Sequence, residues 1–200
     1  MLDADRHASL TFAKPLQHEG ELAGLLALLT ERRVRSYLEI GARYGGSFEQ
    51  VMMTLPVGST GLCVDFPGGN FGDDGSTAIL LEALKRVRRS GRDANCIFGP
   101  SAAPEVVERV KRLAPFDAVL IDGDHRYEAV KRDFELYAPL ARIVILHDIA
   151  APSHVASRTG VPVEVPRLWA EVKDNYPSIE ITDPGTLMGI GVLFRDQPGA

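Results

Sequence analysis

The chain has 200 residues, 45% of them apolar and 24% charged, with a formal net charge of -5. That composition is one of a globule long enough to bury about 70% of its extended-chain surface. The acidic balance excludes a nucleic-acid backbone as the main partner, because no broad basic excess exists to neutralise phosphates. No apolar run approaches membrane-spanning length, so no membrane partner is expected. The first residues, with Asp3, Asp5, Arg6 and His7, lack the apolar centre of a signal peptide. Cys63 and Cys96 sit inside apolar runs and offer neither a disulfide framework nor metal-ligand spacing, so a reducing, cytoplasmic setting is expected.

Helix and strand alternate along the chain. Residues 21–33 carry Leu22, Leu25, Leu26, Leu28 and Leu29 on one broad face and read as an amphipathic helix. A first strand over 36–40 runs into Gly41, Gly45 and Gly46, and residues 49–55 read as helix. Pro56 and Gly58 break that helix before a second strand over 61–65. Residues 76–90 form a helix with Ser76 as its expected N-cap. Its end carries the densest basic stretch, Lys85, Arg86, Arg88, Arg89 and Arg92, which complements the helix dipole and reads as a solvated helix end. A third strand covers 95–98, a helix opened by Pro104 covers 104–113, and a fully apolar fourth strand covers 116–121. A helix over 126–137, a fifth strand over 143–146, a helix over 165–175 and strands over 179–182 and 190–194 complete the order. Near-continuous apolar strands separated by helices indicate an α/β domain with a mostly parallel sheet covered on both faces. The last two strands have no helix between them and should pair antiparallel at one edge. No linker or repeat interrupts the chain, so residues 1–200 read as one domain.

Ligands of such sheets sit at the carboxyl ends of the strands, and ionisable residues collect there. Glu39 ends the first strand, Asp65 the second, Asp122 the fourth, and His147 with Asp148 the fifth. Glu39 is expected to face the ligand as an ionised carboxylate beside the glycine turn. Gly41 and Gly45 are spaced G-x-x-x-G rather than G-x-G-x-x-G, so a dinucleotide is disfavoured. An acid beside a glycine loop suits a cationic ligand without a phosphate there. Asp65 can accept hydrogen bonds from both hydroxyls of a ribose, or simply open a turn. Asp122 and Asp148 can hold a divalent cation through oxygen, with His147 or Asp124 completing the set. His125 can act as a general base. Asp124 reads more simply as a cap for the helix that begins at Arg126.

These residues resemble a known family. Leu38-Glu39-Ile40-Gly41 with Gly45-Gly46-Ser47, Val64-Asp65, Ile121-Asp122-Gly123-Asp124-His125-x-Tyr127, Leu146-His147-Asp148 and Gly189-Ile190-Gly191-Val192-Leu193 are similar to class I S-adenosylmethionine-dependent methyltransferases. The nearest branch is that of small-molecule O-methyltransferases, with sugar- and antibiotic-tailoring enzymes and cephalosporin-hydroxylase-like proteins, and the resemblance spans residues 17–195. It implies a Rossmann-like three-layer sandwich whose seven-stranded sheet has the order 3-2-1-4-5-7-6 and an antiparallel C-terminal hairpin. It implies that the loop of residues 41–47, including Tyr44, Gly45 and Ser47, cradles the methionine part of S-adenosyl-L-methionine. Asp65 would take the ribose and Ser101 would lie near the adenine, with Asp122 also at the cofactor. Acids at Asp122 and Asp148 would bind Mg2+, with His125 or His147 as base. The family's glycine pair before the fifth strand is missing, since Ala138-Pro139-Leu140-Ala141-Arg142 stands there.

The expected activity is O-methylation of a hydroxylated small molecule, with a divalent metal assisting. The alternatives are a hydroxylase-type tailoring enzyme on the same scaffold or a non-catalytic S-adenosylmethionine-binding protein. Residues 149–163 are the candidate lid over the acceptor. A homodimer is the expected assembly if Trp169 and its helix pack against a partner.

Overall fold

Seven strands form one sheet in the order β3-β2-β1-β4-β5-β7-β6, with β1 to β5 parallel and β7 antiparallel to both β5 and β6. The computed structural model describes residues 17–68, 76–156, 160–185 and 188–195. Its elements, in chain order, are α1 (Glu19–Glu31), β1 (Ser36–Ile40), α2 (Gly46–Thr54), β2 (Thr60–Asp65), α3 (Ser76–Arg89), β3 (Asp93–Phe98) and α4 (Pro104–Lys111). They continue with β4 (Phe116–Ile121), α5 (Tyr127–Tyr137), β5 (Ala141–His147), α6 (Val165–Val172), β6 (Ser178–Ile181) and β7 (Ile190–Phe194). The expected strand order and C-terminal hairpin are those observed.

Each strand except the edge strand β6 alternates its side chains between two separate cores. Leu38, Ile40, Val64, Val119, Ile121, Val144 and Leu146 join one cluster with residues of α4, α5 and α6. Tyr37, Cys63, Leu120, Ile143, Ile145 and Val192 join the other with α1, α2 and α3. Both faces of the sheet are thus dry, which is why the central strands read as unbroken apolar runs. Each fully buried Leu, Ile or Val contributes about 1.5–3 kcal/mol of transfer free energy.

Several expectations change on packing. The basic stretch is solvated at Lys85, Arg88 and Arg89, but its arginines also bond to neighbouring elements. Arg86 makes two bonds to the buried Glu49 carboxylate of α2, at 2.6 and 2.7 Å, Arg88 Nε donates to the Ala94 carbonyl, and Arg92 Nε donates to the Leu55 carbonyl. These cations clamp α3 and the turn after it to their neighbours. Trp169 is not a docking surface either: it is 3% exposed, its ring lies against Gly191 of β7, and its Nε1 donates to Glu180 of β6 at 2.6 Å. A Cβ on Gly191 would come within 2.6 Å of that ring, so the glycine allows the close approach. The argument for a partner at this helix is therefore lost. The missing glycine pair is replaced by a 3-10 turn, Ala138–Leu140, that carries α5 directly into β5. Ser76 opens α3 as the first described residue after a gap, so the expected cap falls partly outside the described residues. Cys63 and Cys96 are register partners on β2 and β3, and both thiols are free. No helix among the described residues is long and apolar enough to cross a membrane.

Candidate active site

The strand order reverses between β1 and β4, so their carboxyl ends splay and leave a crevice. A cavity of about 560 Å³ occupies it, lined by the turns after β1, β2, β3, β4 and β5. Backbone bonds hold these turns together: Gly41 N donates to Val64 O at 2.8 Å and Asp122 N to Ile40 O at 2.9 Å. Gly41 has a φ of 90°, and a Cβ there would lie 2.3 Å from the Asp122 carbonyl oxygen. Only glycine lets the first and fourth turns meet in this way.

Past Gly41, Arg43 takes a left-handed φ of 47° and its N–H donates to Asp65 Oδ1 at 2.8 Å. Burial raises the Asp65 carboxyl above its ordinary value, opposed by that N–H and by the Arg43 charge. Tyr44, Gly46 and Ser47 line the cavity, while Gly45 does not. A Cβ on Gly45 would instead meet Leu80 of α3 at 2.8 Å, so this glycine serves helix packing.

Glu39 departs from its expected place. It is fully buried, shares the face of Tyr37, and is absent from the cavity wall. Tyr37 Oη and Ser47 Oγ each donate to it at 2.6 Å. Burial outweighs these two donors and pushes its carboxyl up to about 8, so at neutral pH it is mainly protonated. It supports the loop through Ser47 instead of facing a ligand with an open charge.

At the β3 end, Ser101 Oγ donates to Asp133 Oδ1 at 2.7 Å, and both residues line the cavity. Burial pushes Asp133 up to about 6. The sequence reading passed over Asp133, although its signal was present: it interrupts the otherwise apolar buried stripe Tyr127, Val130, Asp133, Tyr137 of α5.

Asp122, His125, His147 and Asp148 come together at the β4–β5 end. His125 Nδ1 is 2.7 Å from Asp148 Oδ2, and its Nε2 is 3.9 Å from Asp122 Oδ1. His147 Nδ1 is 3.0 Å from Asp148 Oδ1 and 3.3 Å from Asp122 Oδ1. Gln17 Nε2 donates to Asp122 Oδ2 at 2.7 Å, a contact across 105 residues that no local pattern announces. Burial works against both imidazolium ions, yet the facing carboxylates hold His125 and His147 above the ordinary histidine value. Asp148 goes the other way: burial opposes its charge, but the two histidine hydrogen bonds hold it well below the usual carboxylate range. Asp148 also takes a left-handed φ of 64°, a strained value for a residue with a side chain.

Asp124 is not the helix cap. It forms an ion pair with Arg126 and accepts the Arg126 N–H at 3.1 Å, and the first turn of α5 is capped from elsewhere. Glu164 accepts the Tyr127 N–H at 3.0 Å through Oε2 and donates its own N–H to the His125 carbonyl at 2.8 Å. Glu164 therefore fixes the backbone on both sides of Arg126. The candidate lid does not cover the cavity in its described part. Residues 149–156 and 160–163 contribute nothing to the wall, and the segment is stapled by Ala150 N to Met188 O and Val163 N to Val155 O.

A methyltransferase domain family model matches residues 38–149, more than half of the chain. The chain belongs to that methyltransferase family. Two solved structures are similar to this methyltransferase in fold. An O-methyltransferase from Bacillus cereus in complex with S-adenosylhomocysteine (SAH) has a TM-score of 0.68 at 15% identity, over 95% of this chain and 87% of that one. TomG from Streptomyces achromogenes, an O-methyltransferase involved in tomaymycin synthesis and solved with S-adenosylmethionine (SAM), has a TM-score of 0.65 at 16% identity, over 97% and 99% of the two chains. No curated protein matches the sequence.

The residues of this methyltransferase fit SAM better than they fit magnesium. The cavity carries a glycine cradle at Gly41, a ribose-type acceptor in Asp65 and polar groups at Ser101 and Asp133. Magnesium takes oxygen ligands and keeps much of its water, whereas two of the four ionisable groups at the β4–β5 end are imidazoles.

Proposed function

We propose that the protein transfers a methyl group from SAM to a hydroxyl of a small molecule. The reading rests on one continuous cavity that joins the turn of residues 41–47, Asp65 and Ser101 to His125, His147, Asp122 and Asp148. The backbone after Gly41, with Tyr44 and Ser47, would hold the methionine part. Asp65, kept in place by the Arg43 N–H, would accept the ribose hydroxyls, and Ser101 with Asp133 would bound the adenine. Asp122 lies between this half and the histidines.

When bound, SAM supplies a methyl on a sulfonium, whose charge also favours a neutral imidazole beside it. His125 is oriented by Asp148 in the manner of a base held by its carboxylate partner. With SAM and an acceptor bound, His125 would take the hydroxyl proton as the methyl passes from sulfur to oxygen and SAH is left. His147 and Asp122 complete the polar wall behind it. Most of the acceleration would come from alignment, since methyl transfer is an in-line displacement that needs reactants about 3–3.5 Å apart.

Calorimetry with SAH tests the reading. Binding in the micromolar range is expected, and absence of binding by the folded protein would sink it.

A further inference from the structure

The chain has only two cysteines, and folding sets them side by side. Cys63 on β2 and Cys96 on β3 are far apart in sequence yet are direct register partners across two parallel strands. A strand residue has at most two lateral neighbours, so unselected placement would rarely set a chain's only two thiols opposite each other. Register partners point to the same face of the sheet, and both cysteines join the cluster beneath α1, α2 and α3. Both thiols are free. Cys96 is close enough to hydrogen-bond the Cys63 thiol, which that contact and burial hold well above its ordinary value.

The two thiols differ in access. Cys63 is fully enclosed, whereas Cys96, on the edge strand β3, is partly exposed. An oxidant in solution therefore meets Cys96 and not Cys63. Alone, an exposed cysteine climbs the oxidation ladder to irreversible acids. Here its first oxidation product has a thiol waiting across the strand pair. Adjacent strands stand about 4.8 Å apart, inside the roughly 4.4–6.8 Å that separates the α-carbons of a disulfide. The β-carbons of a disulfide sit closer, at about 3.5–4.5 Å, so the two strands must draw together slightly. β3 can supply that shift, since its outer edge pairs with no strand among the described residues. A bond made at such a cost is one that reductants readily open.

We propose that Cys63 and Cys96 are an oxidation site at which hydrogen peroxide forms a reversible disulfide between β2 and β3. Cys96 Sγ attacks one peroxide oxygen, the O–O bond breaks, and one water leaves with a sulfenic acid on Cys96. Cys63 Sγ then attacks that sulfur as the S–O bond breaks. The Cys63 proton goes to the departing oxygen, which leaves as a second water. The two thiols lose two electrons, and the peroxide takes them. The new bond lies just below the proposed donor pocket. Asp65 follows Cys63 by two residues, Ser101 sits on the turn after β3, and Gly99 N donates to Asp65 O at 2.9 Å. Drawing β3 inward therefore displaces one wall of that pocket.

The test treats full-length protein with hydrogen peroxide and follows its mass and its thiols. A loss of about 2 Da per chain, disappearance of both thiols under denaturing conditions and return of both with dithiothreitol are expected. Cys63→Ala should leave Cys96 to gain about 16 Da or more, and Cys96→Ser should leave Cys63 unmodified. Chains linked to each other, oxygen retained at Cys96 of the unchanged protein, or two thiols surviving the peroxide would each overturn the proposal. The link to the pocket rests on the methyl-donor reading and is measured by calorimetry with SAH on both forms. The oxidised protein should bind about 10-fold more weakly, the effect of losing about one hydrogen bond, and recover on reduction. Equal affinities would overturn that link, whereas no SAH binding by the reduced protein would count against the methyl-transfer reading alone.

Discussion

At the β1–β2 end of the cavity a ligand would meet mainly backbone, whereas at the β4–β5 end it would meet four ionisable side chains. The first end owes its shape to Gly41, whose missing Cβ lets two turns touch, and to Arg43, whose N–H fixes Asp65. Its fully enclosed acid, Glu39, is folded away beneath Ser47. The second end holds its shape through charge: each histidine answers a carboxylate, and each carboxylate is pulled between two partners. A backbone-built half gives a rigid mould that tolerates little change in shape. A side-chain-built half gives proton and cation affinity that single substitutions can tune. The division matches what a group-transfer site needs, a fixed donor pocket facing an adjustable reactive wall.

The most severe way to break this contrast is Gly41→Ala. A Cβ 2.3 Å from the Asp122 carbonyl, on a residue with φ of 90°, must push the two turns apart. We expect loss of measurable SAH binding and a drop of about 3 kcal/mol or more in stability, read by calorimetry and denaturant melts. Unchanged binding would mean that the turn is not the donor pocket.

His125→Ala attacks the other half. Methyl transfer should fall by about 10²–10⁴-fold while SAH affinity stays within a few-fold, since the proposal makes the histidine a base outside the donor pocket. Equal losses in both would make the two ends one unit.

Glu39 supplies a pH signature confined to the backbone-built half. Its carboxyl sits at about 8 when folded against an ordinary 4.5, so between those values the folded chain holds a proton that the unfolded chain has lost. Stability therefore declines as pH rises from 4.5 to about 8 and levels off above that. At about 1.4 kcal/mol per pKa unit the full contribution is of order 5 kcal/mol. Glu39→Gln should make the decline shallower in melts taken across that range, leaving the part that Asp133, His125 and His147 supply, and an unchanged slope would remove Glu39 as a contributor.

The smallest effect expected is that of Asp65→Ala. SAH binding should weaken by about 10–100-fold, in keeping with loss of hydrogen bonds to a charged group, with little change in melting temperature. Removing a carboxyl that burial already disfavours offsets the lost Arg43 bond. A fall in stability without a fall in affinity would make Asp65 a turn residue only.

The strands were the most legible part of the chain. Residues 36–40, 116–121 and 190–194 coincide with β1, β4 and β7, because apolar runs covered on both faces declare themselves without reference to partners. Boundaries moved where pairing decided them: β5 begins at Ala141, two residues before its apolar run, because Ala141 pairs with Phe116. Gly41, Asp65 and Asp122 were picked from strand ends, Tyr44, Ser47 and Ser101 through the family resemblance, and all of them line one cavity. Less could be read of direction. Glu39 follows Tyr37 by two residues and so shares its face, but a sheet covered on both sides gives no pattern to say which face meets the ligand. Gln17, Asp133 and Glu164 reach the site through contacts far apart in sequence, and Trp169 turned inward onto a glycine of β7.

By itself, the sequence determined the α/β class and the rim where polar residues gather, since both follow from local periodicity and chain alternation, and it carried the strand order only through its family resemblance. Only the tertiary structure decided which oxygen of each acid faces His147, which acid is buried and protonated, and which cations clamp helices. Those depend on distances between residues that the chain brings together only on folding, and on burial, which sets the cost of a charge.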